Sequence, residues 1–587
     1  LQYDLIVRGG TVLDGTGGEP FAADVAVRDG RIAAVGSGLG AAAEEIDAGG
    51  MLVTPGFVDI HTHYDAQACW DSHLAPSALH GVTTVVIGNC GVGFAPCRPA
   101  DRAKLVELME GVEDIPGAVM HEGLEWQWES FPGYLDALQR KERDVDVCAL
   151  LPHAAVRVYV MGERALALEP ATADDIARMR EITTAAVRAG AFGVSTSRTT
   201  SHRSLNGEFI PTLRAYEDEL QGLALGVRDG GRGLLEVVTE WIQPNPAEEF
   251  AMLSRIAERS GRPVLYSLTQ SHEQPHDYRA ILALNRQAAA RGVPIRPVVA
   301  PRAIGVLLGL QASQTPFSGC PTFRALAGLP LPARVARLRD PAVRAAILAE
   351  DPVADSTFPL LRLLSYDRMY RFGTPPNYTP QAHDSVAAIA ARTSRPAPEI
   401  AYDLLLANEG RDFLYTPIRN YAAPGLAACE ELLADRLSIM GLGDGGAHVG
   451  FILDAGYPTW LLTYWGRQRG RWPPAELIRR LTSDPADAAG LHDRGRIGVG
   501  LKGDLNVIDW HGLDFEPPRV EHDLPAGGAR LMQGARGYRC TVVAGRVTWR
   551  DGHPTGALPG KLVRGMHAQP RSPAACQEAA ARSAGGL

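Results

Sequence analysis

Lysine is almost missing from this chain. Among 58 Lys and Arg residues only positions 104, 141, 502 and 561 are Lys, so any site built on a modified lysine has few places to be. Cysteine is sparse and irregular, with eight residues at 69, 90, 97, 148, 320, 429, 540 and 576. No Cys-x-x-Cys occurs, which argues against a zinc ribbon, and most of the thiols read as reduced core residues of a cytoplasmic protein. No uninterrupted apolar run reaches membrane-spanning length, so no membrane partner is expected. The first residues, Leu1-Gln2-Tyr3-Asp4, lack the basic and apolar regions of a signal peptide and an initiator Met; the expectation is a cytoplasmic chain trimmed at its start. Excess positive charge is lacking too. A formal net charge of -9 argues against a nucleic-acid partner, which favours a basic patch or stripe.

What is present is 587 residues, 45% hydrophobic and 21% charged, enough for a large globular domain with satellites. The most informative stretch is Pro55-Gly56-Phe57-Val58-Asp59-Ile60-His61-Thr62-His63-Tyr64-Asp65. Its apolar run behind a Pro-Gly turn reads as a buried strand. Alternate residues of a strand share a face, so His61 and His63 are expected to point the same way at the strand end. Two convergent imidazoles with an acid nearby make a metal site the leading hypothesis.

Residues 1–54 read as short strands (Asp4–Arg8, Thr11–Asp14, Ala23–Arg28 and Arg31–Gly36) separated by Gly-rich turns. The Gly-rich run from Gly9 to Gly18 is followed by no helix, which argues against phosphate binding. From Pro55 to about 490, eight apolar strand candidates alternate with helical stretches: Phe57–Ile60, Thr83–Ile87, Val145–Leu151, Gly193–Thr196, Leu234–Val238, Pro263–Leu268, Ile295–Val299 and Leu437–Leu442. This pattern predicts an α/β fold, a (β/α)8 TIM barrel with functional residues at the C-terminal strand ends. The gap 303–436 is too long for an ordinary connection and reads as a lid or pocket wall. Strands return over 491–562 and are expected to complete, with residues 1–54, one small β-domain built from both ends of the chain. The segment 563–587, rich in Ala, Ser, Gly and Arg, is expected to be a mobile tail.

Together these features resemble the N-acyl-D-amino-acid deacylase (D-aminoacylase) family of the amidohydrolase superfamily. The resemblance rests on His61-Thr62-His63, on Gly88-Asn89-Cys90-Gly91 after the second strand, on Gly441-Leu442-Gly443-Asp444-Gly445-Gly446-Ala447-His448, and on Thr555-Gly556-Ala557-Leu558-Pro559-Gly560. It implies that His61, His63, Cys90 and Asp444 are the metal ligands, with Cys90 in place of a carboxylated Lys. None of the four lysines lies at the end of strand four, which agrees. Nitrogen, sulfur and oxygen ligation suits Zn2+ best among common metals. The resemblance further implies a metal-activated water, with Asp444 as the catalytic group that takes its proton. Taken alone, Cys90 reads as a buried thiol and Asp444 as a turn residue.

The chain departs from the family where histidines at the ends of strands five and six hold a second metal. Here those segments are Leu234 to Trp241 and Pro263 to Gln270, with no His. One zinc is therefore favoured over two, with Glu240, His202 and His272 as alternative second-site ligands. The substrate's carboxylate calls for a cation. Arg198, Arg157 and Arg302, with Arg203, are the candidates, and His153 and His448 are further substrate-binding candidates. The expected function is a metal-dependent amidohydrolase acting on an N-acyl-D-amino acid or related N-acyl compound. The alternatives are a cyclic amide hydrolase (hydantoinase- or lactamase-like) or a natural-product tailoring amidohydrolase, and a non-catalytic binding protein on the same barrel. The partner is a small-molecule amide, with a homodimer allowed.

Overall fold

The computed structural model describes residues 2–241, 245–352 and 364–565. The predicted tail lies, beyond residue 565, outside the described residues.

All eight predicted barrel strands are present and parallel. Phe57–Asp59, Val82–Ile87 and Asp146–Ala149 pair in order. The third strand continues as Leu151–Pro152 beside Gly193–Arg198, followed by Leu234–Thr239, Val264–Ser267, Ile295–Val299 and Ile439–Met440. The ring meets itself just beyond the ends of strands eight and one, where Thr62 bridges Gly445 in parallel and the His63 amide donates to the Gly445 carbonyl at 2.8 Å. Val58, Val86, Cys148, Leu150, Leu234, Leu265, Val298 and Ile439 fill the interior. Parallel strands buried on both faces need such apolar side chains, which is why they were legible as short hydrophobic runs.

The helices between strands follow equally local rules. Ala173–Ala189 begins at a reciprocal cap, in which the Thr172 hydroxyl accepts from the Asp175 amide while the Asp175 carboxylate accepts from the Thr172 amide.

Strands from both ends of the chain share one sheet. Tyr3–Val12 pairs with Phe21–Arg28, Ala42–Asp47 and Leu52–Pro55, and Leu52–Pro55 pairs with Leu505–Ile508, which leads to Tyr538–Val543 and Arg546–Arg550. The predicted turn at Gly9-Gly10 is absent. Tyr3–Val12 is one ten-residue strand whose register shifts between Val7 and Gly10, so the glycines make a bulge rather than a hairpin. Asp146, at the start of barrel strand three, ties this return segment to the barrel through Arg494 at 2.6 Å and Lys502 at 2.8 Å.

The stretch between strands seven and eight forms a small antiparallel sheet of Ile304–Leu308, Leu414–Arg419 and Tyr370–Arg371, packed by helices over its own apolar core. Its two strand ends, Ile304 and Arg419, reach the cavity at the mouth of the barrel.

Candidate metal centre

Strand one stops at Asp59, and the chain bends before His61. The pairing resumes at Thr62, which bridges Gly445, and the two imidazoles on either side of it converge. The bend is fixed on three sides. The Asp59 carboxylate accepts from the His61 amide at 3.1 Å, the Val86 carbonyl accepts from the Thr62 amide and hydroxyl, and Gly445 holds His63. The ring centroids end 5.4 Å apart.

Cys90 arrives from the turn after strand two with φ of +56°, between Gly88 at +87° and Gly91 at +71°. Left-handed backbone at a non-glycine residue is costly and persists only where its surroundings enforce it. Here Asn89 donates from its side chain to the Thr62 and Val86 carbonyls, and the Cys90 amide donates to Glu236 at 3.3 Å. A Cβ at Gly91 would stand 2.8 Å from the Thr196 Cα, so only glycine lets the turn lie this close to strand four.

The Cys90 Sγ thus lies 3.6 Å from His61 Nε2 and 3.8 Å from His63 Nε2, and the ligand atoms of the three residues all fall within 4.8 Å of one another. Asp444, just past strand eight, adds Oδ1 at 3.4 Å from His61 Nε2 and 3.7 Å from His63 Nε2. Tetrahedral bonds of about 2.0–2.3 Å separate neighbouring ligands by roughly 3.3–3.6 Å, so the spacing fits a zinc ion.

Two carboxylates that sequence reading passed over stand behind the histidines. Glu113 Oε1 is 3.2 Å from His63 Nδ1, and Glu236 Oε1 is 3.7 Å from His61 Nδ1. A carboxylate at Nδ1 favours the tautomer with its proton there, which turns the Nε2 lone pair inward. Glu236 had a signal: it is the single charged residue in the apolar strand Leu234–Thr239. Glu113 had none, because it ends the helix Arg102–Glu113, far from the strand-end motifs.

The electrostatics call for a cation. Burial and the neighbouring acids push the Cys90 thiol well above its ordinary value, so a thiolate here needs positive charge beside it. Burial raises Glu236 to about 8 and Glu113 to about 7. Burial lowers His61 to about 4. For His63 the burial effect is outweighed by Glu113, Asp444 and Asp65, and it rises to about 9. Burial opposes charge on Asp444 also, yet the imidazoles of His63, His61 and His448 hold it below the usual carboxylate range.

The cluster opens into a cavity of about 190 Å³. Of the alternative ligands, Glu240 lines this cavity, but its Oε2 accepts hydroxyls of Thr199 and Thr200 at 2.9 and 3.1 Å. His202 also lines it, with Nδ1 on Ser197 Oγ at 2.8 Å. His272 turns away, its Nε2 on the Pro417 carbonyl at 3.2 Å. None of the three joins the close group. His448 lies at the cavity with Nε2 3.6 Å from Glu113 Oε2.

The other substrate-binding candidates are placed elsewhere. Arg198 pairs with Glu249 at 2.8 Å and bonds the Ala215 carbonyl, outside this cavity. Arg157 is fully buried on Glu219 at 2.8 Å and on the Pro211 and Glu169 carbonyls. His153 is a satisfied core histidine, bonded to Thr196 Oγ1 at 2.8 Å and Glu219 at 2.9 Å. Arg302 is buried on Asp454 at 2.9 Å and against the Tyr378 ring. Arg203 packs on Phe209 and bonds the Gly207 carbonyl. Each was picked for its nearness to a strand end, and in each a buried or neighbouring acceptor takes up the polar group. The arginine that does line the cavity is Arg419, from the inserted sheet.

The chain is 34% identical over 241 residues to D-aminoacylase from Alcaligenes xylosoxydans xylosoxydans, a match covering 40% of this chain and 47% of that protein. N-acyl-D-glutamate deacylase from the same organism is 34% identical over 225 residues, 38% of this chain and 41% of that protein. The chain thus matches less than half the length of each. The fold superposes on a crystal structure of D-aminoacylase with a TM-score of 0.64 at 22% identity, over 96% of this chain and 100% of that one. It also superposes on N-acyl-D-glutamate deacylase from Bordetella bronchiseptica, complexed with zinc and a phosphonate inhibitor, with a TM-score of 0.63 at 22% identity, over 96% and 100% of the two chains. A model of the amidohydrolase family matches residues 44–549, so this chain, with its histidine pair at the end of the first barrel strand, belongs to the amidohydrolase family.

Proposed function

We propose that this protein is a zinc-dependent hydrolase of a carbon–nitrogen amide bond, deacylating an N-acyl-D-amino acid or a related N-acyl compound. The observation that carries the reading is the convergence of His61 Nε2, His63 Nε2 and Cys90 Sγ within 4.8 Å beside Asp444. The similarity to D-aminoacylase and N-acyl-D-glutamate deacylase supports the amide substrate and the D configuration.

His61, His63, Cys90 and Asp444 would hold the ion, and zinc bound there supplies a Lewis acid that makes water a nucleophile near neutral pH. Glu113 and Glu236 orient the two imidazoles from behind. Asp444 stays ionised because the imidazoles around it stabilise its charge. It is the base placed to accept the proton of the attacking water and return it to the departing amine. One ion is favoured, because the wall contributed by strands five and six presents Thr239, Glu240, Ser267 and Thr269, where the deacylase family places histidines. The proposal puts the enzyme in the cytoplasm with small-molecule partners and allows a homodimer. It is supported by the seven described cysteines, all unpaired and buried, and by a chain with no described helix long and apolar enough to cross a membrane.

The test is turnover by the zinc-loaded protein across N-acetyl D- and L-amino acids and cyclic amides. Hydrolysis of D-configured N-acetyl substrates is the expected result. Turnover of hydantoins or lactams alone would move the function to the cyclic-amide alternative, and no turnover without bound metal to the binding-protein alternative.

A further inference from the structure

The cavity contains two fixed charges that the proposed chemistry leaves unused. Of the carboxylates lining it, Asp444 and Glu113 face imidazoles. Glu240 does not. It is 9% exposed, its Oε2 accepts two neutral threonine hydroxyls, and no described cation lies within 4.0 Å of it. Its Oε1 accepts no hydrogen bond from a described residue. Arg419 is held only weakly. It forms a long ion pair with Glu273 at 3.9 Å, its hydrogen bond among the described residues goes to the Ile418 carbonyl at 3.3 Å, and its side chain is 22% exposed. Glu240 comes from just beyond strand five and Arg419 from the inserted sheet, and no ion pair joins them although both line one cavity.

A shielded carboxylate without a cation is expensive, and the cost is recovered when a guest supplies one. We propose that Glu240 and Arg419 select the side chain and the carboxylate of the substrate: the preferred substrate is an N-acyl-D-amino acid with a basic side chain. This rests on the deacylase reading and names its substrate class. Arg419 pairs with the α-carboxylate through its planar guanidinium, and the basic side chain extends to Glu240. An acidic side chain would face Glu240 and be rejected, which gives the preference its sign.

The experiment compares kcat/KM of the zinc-loaded enzyme on N-acetyl-D-arginine, N-acetyl-D-leucine and N-acetyl-D-glutamate, in the wild type, E240Q and E240R. The expected order is arginine, leucine, glutamate, with the first preferred over the second by about tenfold or more. E240Q should cut that ratio about tenfold while zinc per chain stays unchanged, which separates substrate selection from metal binding. E240R should invert the order, and E240Q stands alone if E240R does not fold. A wild-type ratio near one, or a ratio that E240Q leaves intact, overturns the proposal. Should none of the three be hydrolysed, the deacylase reading fails and calorimetry decides the selection. Tighter binding of N-acetyl-D-arginine than of N-acetyl-D-glutamate, lost in E240Q, supports it. Equal affinities, reversed affinities or no binding overturn it.

Discussion

At the ends of strands three and four, His153 places one ring nitrogen on Thr196 and the other on Glu219, and Arg157 closes the same carboxylate. At the ends of strands one and two, His61 and His63 also have carboxylates at Nδ1, but their Nε2 atoms face Cys90 and Asp444 across a shared centre. Both groups are buried at the same end of the same barrel. In the first, donors meet acceptors, and the polar groups hold an internal helix onto the sheet. In the second, the candidate ligand atoms converge with no cation of the described residues among them except the histidines themselves. The backbone differs as well. His153 and Arg157 sit in the helix His153–Met161, whereas Cys90, Leu442, Asp444 and His448 all adopt positive φ. The converging residues carry strained backbone, whereas the His153–Glu219–Arg157 group sits on relaxed helix with both donors on Glu219 Oε1.

The comparison is broken most severely at Asp444. D444A is expected to lose turnover by about 10³-fold or more while remaining folded, as measured by steady-state kinetics and circular dichroism. Wild-type turnover would remove Asp444 as the base. On the structural side, E219Q is expected to cost about 3–5 kcal/mol in urea unfolding, because Arg157 loses its one carboxylate, while zinc per chain stays unchanged. Loss of zinc in E219Q would erase the distinction between the two groups. E113Q is expected to weaken zinc affinity by about 10–100-fold in a chelator competition, through loss of the partner of His63 Nδ1. Unaltered affinity would make Glu113 a bystander.

The smallest effect is a difference of sign. Glu236 binds its proton more tightly in the folded protein, with a value near 8, so its contribution to stability is present below about pH 4.3 and is lost as the pH rises toward 8. Glu219 is the reverse. Burial opposes its charge, but His153 and Arg157 hold it below its ordinary value, so its contribution is present above about pH 4.3 and is lost as the pH falls through the folded value. In chelator-treated protein, E236Q should exceed the wild type in urea stability at pH 8 and converge with it toward pH 4.5. E219Q should fall short at pH 7 and converge in acid. Slopes of the same sign in the two variants would contradict the contrast.

The barrel was legible because parallel strands buried on both faces leave short apolar runs, and the helices because their caps and amphipathic faces are local. The β-domain was legible only in part. Ala42–Asp47 is mostly exposed and carries three acids, so it has no apolar signature. In the site, His61 and His63 were readable from their spacing on either side of the paired Thr62. Cys90 and Asp444 came from resemblance, since a buried thiol and a turn aspartate look ordinary alone. Glu113 and Arg419 were hidden because the first ends a distant helix and the second comes from an insertion. Arg198, Arg157 and Arg302 misled because sequence position at a strand end says nothing of the carboxylates and carbonyls that capture a guanidinium.

The most direct test of the account is metal per chain by elemental mass spectrometry, on protein purified without added metal and on H61A. One zinc per chain, lost in H61A, is the predicted result. Two per chain would contradict the single-ion centre and bring Glu240 or His202 into coordination, and none, even after zinc is added back, would contradict the metal centre itself.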